Sequence, residues 1–386
     1  MNLNVPFVDL KAQYAAIRME IDAAVKGVME SGQFVGGQVL ERFEEEFAEF
    51  IGADFAVGVG NGTDAITLAL RAAGIGRGDE VLVPANSFFA SAEAVSNAGA
   101  TPIFVDVTPR TFLMDPQGAA EGITSRTRAI LPVHLYGRAV DMRPLEELAA
   151  AHNLMIVEDC AQAHGASIGG RIAGASGRLT CFSFYPGKNL GAYGDGGAIT
   201  TSDPEMNRRL RMLRDHGSAH KYDHEMIGYN SRLDAIQAAV LSVKLRYLAQ
   251  WNEARRKHAE TYAAAFADSP VLPPEILADS QQVFHLFVVR CCRRNDLQQY
   301  LSAQGIATGI HYPIPLHLSG AYCKPGVAGV RSCPVAELLA GEILSLPMFA
   351  ELTDEQLKYV IDAVQEFARK ESPAVPSDIA FTSAGR

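Results

Sequence analysis

The chain has 386 residues, of which 48% are hydrophobic and 20% charged, and its 34 basic and 44 acidic side chains give a net charge of −10. This composition is that of a globular protein rather than a low-complexity chain, and the acidic balance disfavours a nucleic-acid-binding surface. The length exceeds what one hydrophobic core usually serves, so we expect two domains.

Two features of the sequence bear on where the protein works. Residues 1–21 contain no basic leader followed by a continuous apolar stretch, and no window is apolar enough to span a bilayer. Neither a signal peptide nor a membrane segment is therefore expected. The six cysteines lack the spacing of a disulfide scaffold, which favours reduced thiols in a cytoplasmic protein.

The first two thirds of the chain alternate between helical and strand patterns. Amphipathic helices are predicted over residues 9–30 and 39–51. Seven short apolar strands follow, with helical patterns between several of them, at 55–59, 80–84, 102–105, 129–133, 154–157, 180–184 and 198–201. This alternation predicts an α/β fold with a mostly parallel seven-stranded sheet and helices on both faces. Sites in such sheets lie at the carboxyl ends of the strands.

The rest of the chain is predicted to form a smaller α+β unit, joined to the sheet domain by a long helix from Leu233 to about Ala267. This unit contains a strand and two helices, predicted at 283–290, 296–304 and 354–370. We place the large domain at residues 1–245, the small domain at 246–370 and a disordered tail at 371–386.

The first segment with chemical potential is Gly-Val-Gly-Asn-Gly-Thr-Asp at 58–64, which ends a strand and opens a helix. Such a junction offers backbone N–H groups and the positive end of the helix dipole to an anion. It lacks the lysine of a Walker loop and the third glycine of the dinucleotide fingerprint, so it fits a single phosphate better than a pyrophosphate. A tight strand–helix turn would use the same glycines.

The second segment places Asp159 at the end of the apolar strand Ile-Val-Glu-Asp, 156–159. A buried carboxylate without a partner is costly, so Asp159 should face a cation. The alternative is that it caps the following helix.

The third segment is Ser-Phe-Tyr-Pro-Gly-Lys-Asn-Leu-Gly at 183–191, which leads into Asp-Gly-Gly at 195–197. Lys188 lies here among proline and glycines, with no carboxylate before Asp195. Desolvation would lower its pKa and make it a nucleophile of the kind that forms Schiff bases. The alternative is a solvated loop lysine.

Together these segments supply what is needed to hold pyridoxal phosphate. The helix end would hold the phosphate, the aspartate would keep the pyridine nitrogen protonated, and the lysine would form the Schiff base.

The motifs resemble those of the DegT–StrS sugar aminotransferases, and the resemblance extends from about Pro6 to Glu366. It is carried by the segments at 60–64, 158–165, 183–191, 194–198, 230–234, 311–313 and 344–347. The family consists of pyridoxal-phosphate enzymes with the aspartate-aminotransferase fold (fold type I), which act on nucleotide-linked keto sugars. The resemblance therefore implies a transaminase with this fold.

The resemblance also implies roles for residues around the cofactor ring. Lys188 would form the Schiff base and move the proton, and Asp159 would pair with the pyridine nitrogen. Gln162 would contact the hydroxyl side of the ring. Phe88 would stack on the ring face, where many relatives carry tryptophan or tyrosine.

The phosphate would be held, by the same resemblance, by the backbone of Gly62 and Thr63 and by the hydroxyl of Ser183. Asn230 would reach the phosphate in the neighbouring subunit. The active unit is therefore expected to be a homodimer with shared active sites.

For the substrates, the resemblance implies L-glutamate as amino donor and a sugar ketone as acceptor. Tyr185, Lys221, His311 and Tyr312 resemble positions that bind substrate in members aminating C3 of dTDP-3-keto-6-deoxyhexoses, with Lys221 coming from the partner subunit. We favour this class over UDP-linked 3-keto uronic acids, whose enzymes share much of the pattern, and over 4-keto-6-deoxy sugars. The nucleotide, the stereochemistry at the aminated carbon and the pathway remain open.

Other readings are weaker. Dehydratases of this family carry histidine where Lys188 stands. For a non-catalytic cofactor-binding regulator, nothing here resembles an added DNA-binding module, and the acidic net charge disfavours that role. The histidines at 216, 220 and 224 have ligand-like spacing, but Gly217 interrupts any helix, so no metal is expected. Arginines 208, 209, 211 and 214 are expected to form the solvated face of a helix.

Overall fold

The structure is a computed structural model that describes residues 3–175, 178–324, 326–329 and 332–371. The tail expected to be disordered lies outside the described residues from position 372 onward.

Eleven α-helices and fourteen strands, several of the strands only two residues long, make up the described part of the chain. In chain order they are α1 Leu10–Ser31, α2 Gln38–Ile51, β1 Phe55–Val59, α3 Gly62–Ala72, β2 Glu80–Pro84, α4 Phe89–Asn97, β3 Thr101–Val105, α5 Pro116–Gly122, β4 Thr127–Ile130, α6 Arg143–His152, β5 Met155–Asp159, β6 Ser167–Ile168, β7 Arg171–Ile172, β8 Leu179–Ser183, β9 Gly197–Thr201, α7 Pro204–Arg214, β10 Ser218–His220, β11 Asp223–His224, α8 Ala235–Phe266, β12 Ser280–Gln281, β13 Phe287–Arg290, α9 Arg294–Ala303, α10 Pro334–Glu342, β14 Ile343–Leu346 and α11 Asp354–Glu371.

The large sheet has seven strands in the order β1-β9-β8-β5-β4-β2-β3. Strand β9 is antiparallel to both of its neighbours, and every other pair apart from those two is parallel. The predicted fold class is confirmed, and each of the seven strands predicted for this sheet is present with ends within three residues of the expected ones. The strand interiors are buried because each face of the sheet packs against helices.

A second hydrophobic core surrounds the antiparallel pair β13–β14 and includes Tyr262, Phe287 and Val360. Helix α8 reaches both cores, since Leu241 packs beneath the large sheet and Tyr262 in the second core. The predicted strand 283–290 was wrong at its start: Phe284 has a left-handed backbone (φ 39°), and only Phe287–Arg290 is extended. The domain boundary at residue 245 stays a prediction.

Glu44 anchors the sheet edge that leads into the glycine-rich segment. Its side chain is buried, accepts the N–H of Gly58 at 2.8 Å and pairs with Arg211 at 2.9 Å and with Arg214. The two arginines also donate to the carbonyls of Ala56 and Gly58. The expectation of a solvated arginine face was therefore wrong for these two residues, because they point towards a buried carboxylate.

Replacing Glu44 with alanine should destabilise the protein by about 3–5 kcal/mol, because it removes the carboxylate that pairs with two guanidinium groups and accepts a buried N–H. Urea denaturation of the variant and the native protein measures the difference in the free energy of unfolding. Glu45→Ala, which removes an exposed carboxylate from the next position of the same helix, is the matched control. A loss no larger than that of the control would contradict this account of the cluster.

No helix among the described residues combines the length and hydropathy needed to cross a membrane. The six cysteines all belong to the described part of the chain and form no disulfide; four are buried, and Cys292 and Cys323 are exposed. The cytoplasmic location stays a prediction.

Candidate active site

The predicted site segments meet at one edge of the large sheet. Strands β5 and β8 are parallel neighbours, with Asp159 opposite Cys181, so Asp159 and Ser183 both lie at carboxyl ends. Strand β1 runs in the same direction, since β9 is antiparallel to both β1 and β8, and it leads directly into the start of α3. The predicted segments therefore lie together at the carboxyl ends of these strands, the edge at which sites form in such sheets.

Asp159 is a buried carboxylate with room for one more partner. Its Oδ1 accepts the N–H of Ala161 at 3.0 Å, and its Oδ2 accepts the hydroxyl of Ser91 at 2.8 Å, which in turn lies 2.8 Å from the Ser87 hydroxyl. Burial raises the pKa of Asp159, while these donors and the charge of Lys188 oppose that rise. No helix follows it, since the next regular element is β6, so helix capping is not its role. The cationic partner that we predicted remains the better explanation.

Lys188 is held in a tight turn between β8 and β9. Its backbone N–H donates to the carbonyl of Tyr185 at 2.8 Å, and the turn is closed by the Ala192 N–H on the carbonyl of Phe184 at 2.8 Å. A side chain at Gly191 would place its Cβ 2.3 Å from the carbonyl oxygen of Pro186, so only glycine fits there. This geometry fixes where the lysine leaves the backbone.

The surroundings of Lys188 make its amine more reactive than that of an ordinary lysine. Burial lowers its pKa to about 8, while the Asp159 carboxylate acts in the opposite direction. Within the described residues no hydrogen bond is formed by its Nζ, which leaves the amine available. The half-buried position of Lys188 and its lowered pKa favour a desolvated lysine over the solvated-loop alternative.

The start of α3 and the end of β8 together form a cradle for an anion. Asn61 caps the helix by accepting the N–H of Asp64 at 2.8 Å, and the N–H groups of Gly62 and Thr63, in the first turn, have no partner within the helix. A Cβ at Gly62 would lie 2.6 Å from the Cβ of Ser183, so the two segments are as close as glycine allows. The Ser183 Oγ accepts the Tyr185 N–H at 3.3 Å and can therefore donate its own proton to a ligand.

Gln162, Tyr312 and Phe88 lie together beside Asp159. The Gln162 amide accepts the Tyr136 N–H at 2.7 Å and donates to the Tyr312 hydroxyl at 3.1 Å. The ring centres of Tyr312 and Phe88 are 5.5 Å apart, and Phe88 is 54% exposed. An exposed aromatic face next to a buried carboxylate suits a flat ligand.

His311 and Tyr185 are two further residues predicted to bind substrate. The His311 Nδ1 lies 2.8 Å from the Ser345 hydroxyl, and its ring stacks on Phe7 at 5.6 Å. Burial and the neighbouring Lys188 lower the pKa of His311 to about 4, so its imidazole is neutral at physiological pH. Tyr185 is 60% exposed at the start of the lysine turn.

Lys221 and Asn230 are not brought to this site within the chain. Lys221 lies exposed at the tip of the β10–β11 hairpin, where its ammonium is 5.3 Å from the ring of Tyr222. Asn230 is exposed and pairs with Asp215 in a short backbone bridge. No contact among the described residues joins either of them to Asp159 or Lys188. Their roles across a subunit interface stay predictions.

Several residues that hold Asp159 in place were not predicted from the sequence. Besides Ser91, the buried His134 accepts the Val140 N–H on Nδ1 at 3.0 Å, so its proton lies on Nε2, which is 3.1 Å from the Glu158 carboxylate. The His134 backbone N–H donates to the Asp159 carbonyl at 2.9 Å. Ser91 follows strand β2 closely and Glu158 precedes Asp159, so polar residues near strand ends were the available signal.

The lowered pKa of Lys188 predicts its reactivity with pH. Labelling of the cofactor-free protein by acetic anhydride, followed by mass spectrometry of the Lys188 peptide, should rise with pH through a midpoint near 8, because only the free amine reacts. A lysine-containing peptide of the same sequence, expected to show a midpoint near ~10.4, is the reference. Coincident midpoints for the protein and the peptide would contradict the desolvated environment.

Residues 15–365 of the chain match the sequence model of the DegT/DnrJ/EryC1/StrS aminotransferase family. Over 368 residues the chain is 51% identical to a Streptomyces venezuelae protein named dTDP-3-amino-3,4,6-trideoxy-alpha-D-glucose transaminase, and the match covers 95% of this chain and 97% of that protein.

Two solved structures have a fold similar to that of this chain. The structure described as S. venezuelae DesV in complex with ketimine intermediate superposes with a TM-score of 0.93 at 51% identity, covering 95% of this chain and 99% of that one. A Bacillus subtilis structure described as having bound cofactor PMP superposes with a TM-score of 0.88 at 32% identity, covering 95% of this chain and 86% of the other.

Proposed function

The chain belongs to the DegT/DnrJ/EryC1/StrS aminotransferase family, and from this premise we propose that it transfers the amino group of L-glutamate to the C3 keto group of a nucleotide-linked sugar, a dTDP-3-keto-6-deoxyhexose, with pyridoxal phosphate as cofactor. The active form is a homodimer with shared sites.

The observation that carries the proposal is the meeting of Asp159, Lys188 and the α3 cradle at one sheet edge. A buried carboxylate, a desolvated amine and an anion seat are the complement of the three polar parts of pyridoxal phosphate. The choice of sugar is supported by the name of the S. venezuelae relative, with which the chain shares 51% identity.

The residues that would hold the cofactor divide its parts between them. The N–H groups of Gly62 and Thr63 and the hydroxyl of Ser183 would bind the phosphate, and Phe88 would cover one ring face. Two lone pairs of the Asp159 carboxylate accept hydrogen bonds from Ala161 and Ser91, and another would accept the N–H of the protonated ring nitrogen. When bound, pyridoxal phosphate supplies an electron sink for the carbon next to the transferred nitrogen.

Gln162 has a defined orientation because its oxygen already accepts the Tyr136 N–H and its nitrogen donates to Tyr312. It would therefore present a fixed edge to the hydroxyl side of the ring, as we predicted.

Lys188 would serve as the proton carrier. Transamination removes a proton at one carbon and returns it at another, so a single group must act first as base and then as acid. A pKa near 8 suits both roles at neutral pH. Because the tight turn fixes the backbone of Lys188, only rotations within its side chain would carry the amine from one carbon to the other.

The sugar nucleotide would enter past Tyr185, His311 and Tyr312. Neutral His311, held by Ser345 and Phe7, offers a hydrogen bond to a sugar hydroxyl without adding charge. Lys221 of the partner subunit would meet the diphosphate, and Asn230 of the partner subunit would reach the cofactor phosphate. The large and small domains, proposed at 1–245 and 246–370, each supply part of this entrance.

The visible spectrum of the purified protein tests the proposal. We expect a cofactor band that disappears on addition of L-glutamate and returns when dTDP-3-keto-6-deoxyhexose is added, but not with a dTDP-4-keto or a UDP-3-keto uronic acid sugar. A return with a different sugar would reassign the substrate class. A band that ignores glutamate would point to another donor or to a non-catalytic role, and the absence of any band would refute the proposal.

A further inference from the structure

Helix α8 contains a buried lysine to which the proposed mechanism gives no role. Lys244 has no solvent exposure, and its ammonium donates to the carbonyl of Gly191 at 2.7 Å. It also lies 4.1 Å from the centre of the Tyr193 ring. A lysine is almost never fully buried unless its charge is paired, and burial of the ammonium is costly.

The carbonyl that Lys244 binds closes the turn that carries Lys188. Gly191 lies against Pro186, as shown by the 2.3 Å approach of a Cβ built on it to the Pro186 carbonyl oxygen. The next residue, Ala192, donates its N–H to Phe184 at 2.8 Å. A hydrogen bond to Gly191 therefore fixes the end of the turn relative to α8.

A second residue of α8 holds the same turn at Asn189, the residue directly after the lysine. The Asn252 Oδ1 accepts the Asn189 amide at 2.9 Å, and its Nδ2 donates to the carbonyl of His164 at 2.9 Å. Asn189 also donates to the Val283 carbonyl at 2.9 Å. Lys244 and Asn252 are eight residues apart, or about two helical turns, so both reach the turn from one side of the helix.

The charged groups around Lys244 do not prevent it from donating its hydrogen bond to Gly191. Burial lowers the pKa of Lys244 to about 7, while the carboxylate of Glu351 opposes this. Burial raises the pKa of Glu351, and the nearby Arg255 and Lys244 oppose that rise. Both the ammonium and the neutral amine carry N–H groups, so the bond to Gly191 can persist in either state.

We propose that Lys244 is a positioning residue: by holding the Gly191 carbonyl it fixes the turn on which Lys188 is carried, and so sets the direction in which the Lys188 amine meets its reaction partner. The inference rests on the proposed function, because it assigns Lys244 a purpose only if Lys188 does the chemistry.

The test compares cofactor-loaded Lys244→Met with Lys257→Met. Methionine fills a similar volume without a donor, and Lys257 is a 71% exposed lysine of the same helix. We expect Lys244→Met to lower kcat at least ~10-fold with the KM for L-glutamate within about twofold. The pH midpoint of the cofactor band should shift by at least about half a unit, whereas Lys257→Met should match the native protein in all three.

A structural role alone would lower the melting temperature and leave kcat and the pH midpoint at native values, and this result would overturn the proposal. If Lys244→Met does not fold, Lys244→Gln, whose amide donor is too short to reach Gly191 fully, is measured in the same way. It should show the same changes at smaller size, and native values would again overturn the proposal. The visible spectrum of the native protein tests the proposed function separately. A missing cofactor band, or no response to L-glutamate, would refute that function and the inference with it.

Discussion

Lys188→Ala should lose turnover by about 10⁴-fold or more, because the variant lacks both the nucleophile that joins the cofactor and the group that moves the proton. Lys188 is half-buried, and among the described residues its side chain forms no hydrogen bond that the fold would lose, so the variant should fold as the native protein does. Single-turnover assays with L-glutamate and the keto sugar measure the loss. Lys257→Ala, at an exposed site of α8, is the control, and turnover within tenfold of the control would remove Lys188 from the mechanism.

The same variant tests whether the sites are shared between subunits. If Asn230 acts across the interface, a mixed dimer of Lys188→Ala and Asn230→Ala chains contains one intact site, formed by the native Lys188 of one chain and the native Asn230 of the other. Random mixing makes half of the dimers mixed, so the activity should recover to about a quarter of the native value. If the mixture remains as inactive as its components, Asn230 does not act across an interface.

The chemistry of the site was predictable from the sequence where it depends on residue type and local order. Asp159 follows an apolar strand and Lys188 follows a strand and a proline, so both could be placed at strand ends before any contact was known. Parallel strand order then brings them to one edge of the sheet. The cradle at Gly62 was predictable for the same reason, since a glycine-rich strand–helix junction has local structural requirements.

The residues that support this site could not be predicted, because their roles depend on contacts distant in sequence. Lys244 looks like any helix lysine, and only tertiary packing places it under Gly191. Helix α4 was missed because its run Phe-Ala-Ser-Ala-Glu-Ala has little apolar contrast between its faces. Ser91 in that helix was consequently not connected with Asp159, to which it donates at 2.8 Å.

Asp159→Asn should lower kcat by about 10³-fold while leaving the cofactor bound, since an amide cannot stabilise a protonated ring nitrogen as a carboxylate does. Asparagine has nearly the same shape and can still accept the Ala161 N–H, so a loss of fold is not the expected cause. Ser91 must instead turn its hydroxyl to accept from the new amide, which the neighbouring Ser87 hydroxyl allows.

The control is Asp195→Asn, which changes an exposed carboxylate in the segment that follows the lysine turn. Cofactor occupancy of both variants is measured first, and then the rate at which L-glutamate discharges the visible band. A fall in rate at native occupancy, confined to Asp159→Asn, locates the effect at the ring nitrogen rather than in binding. Equal rates in the two variants would mean that the buried carboxylate serves the fold of the sheet edge, and that another group activates the cofactor.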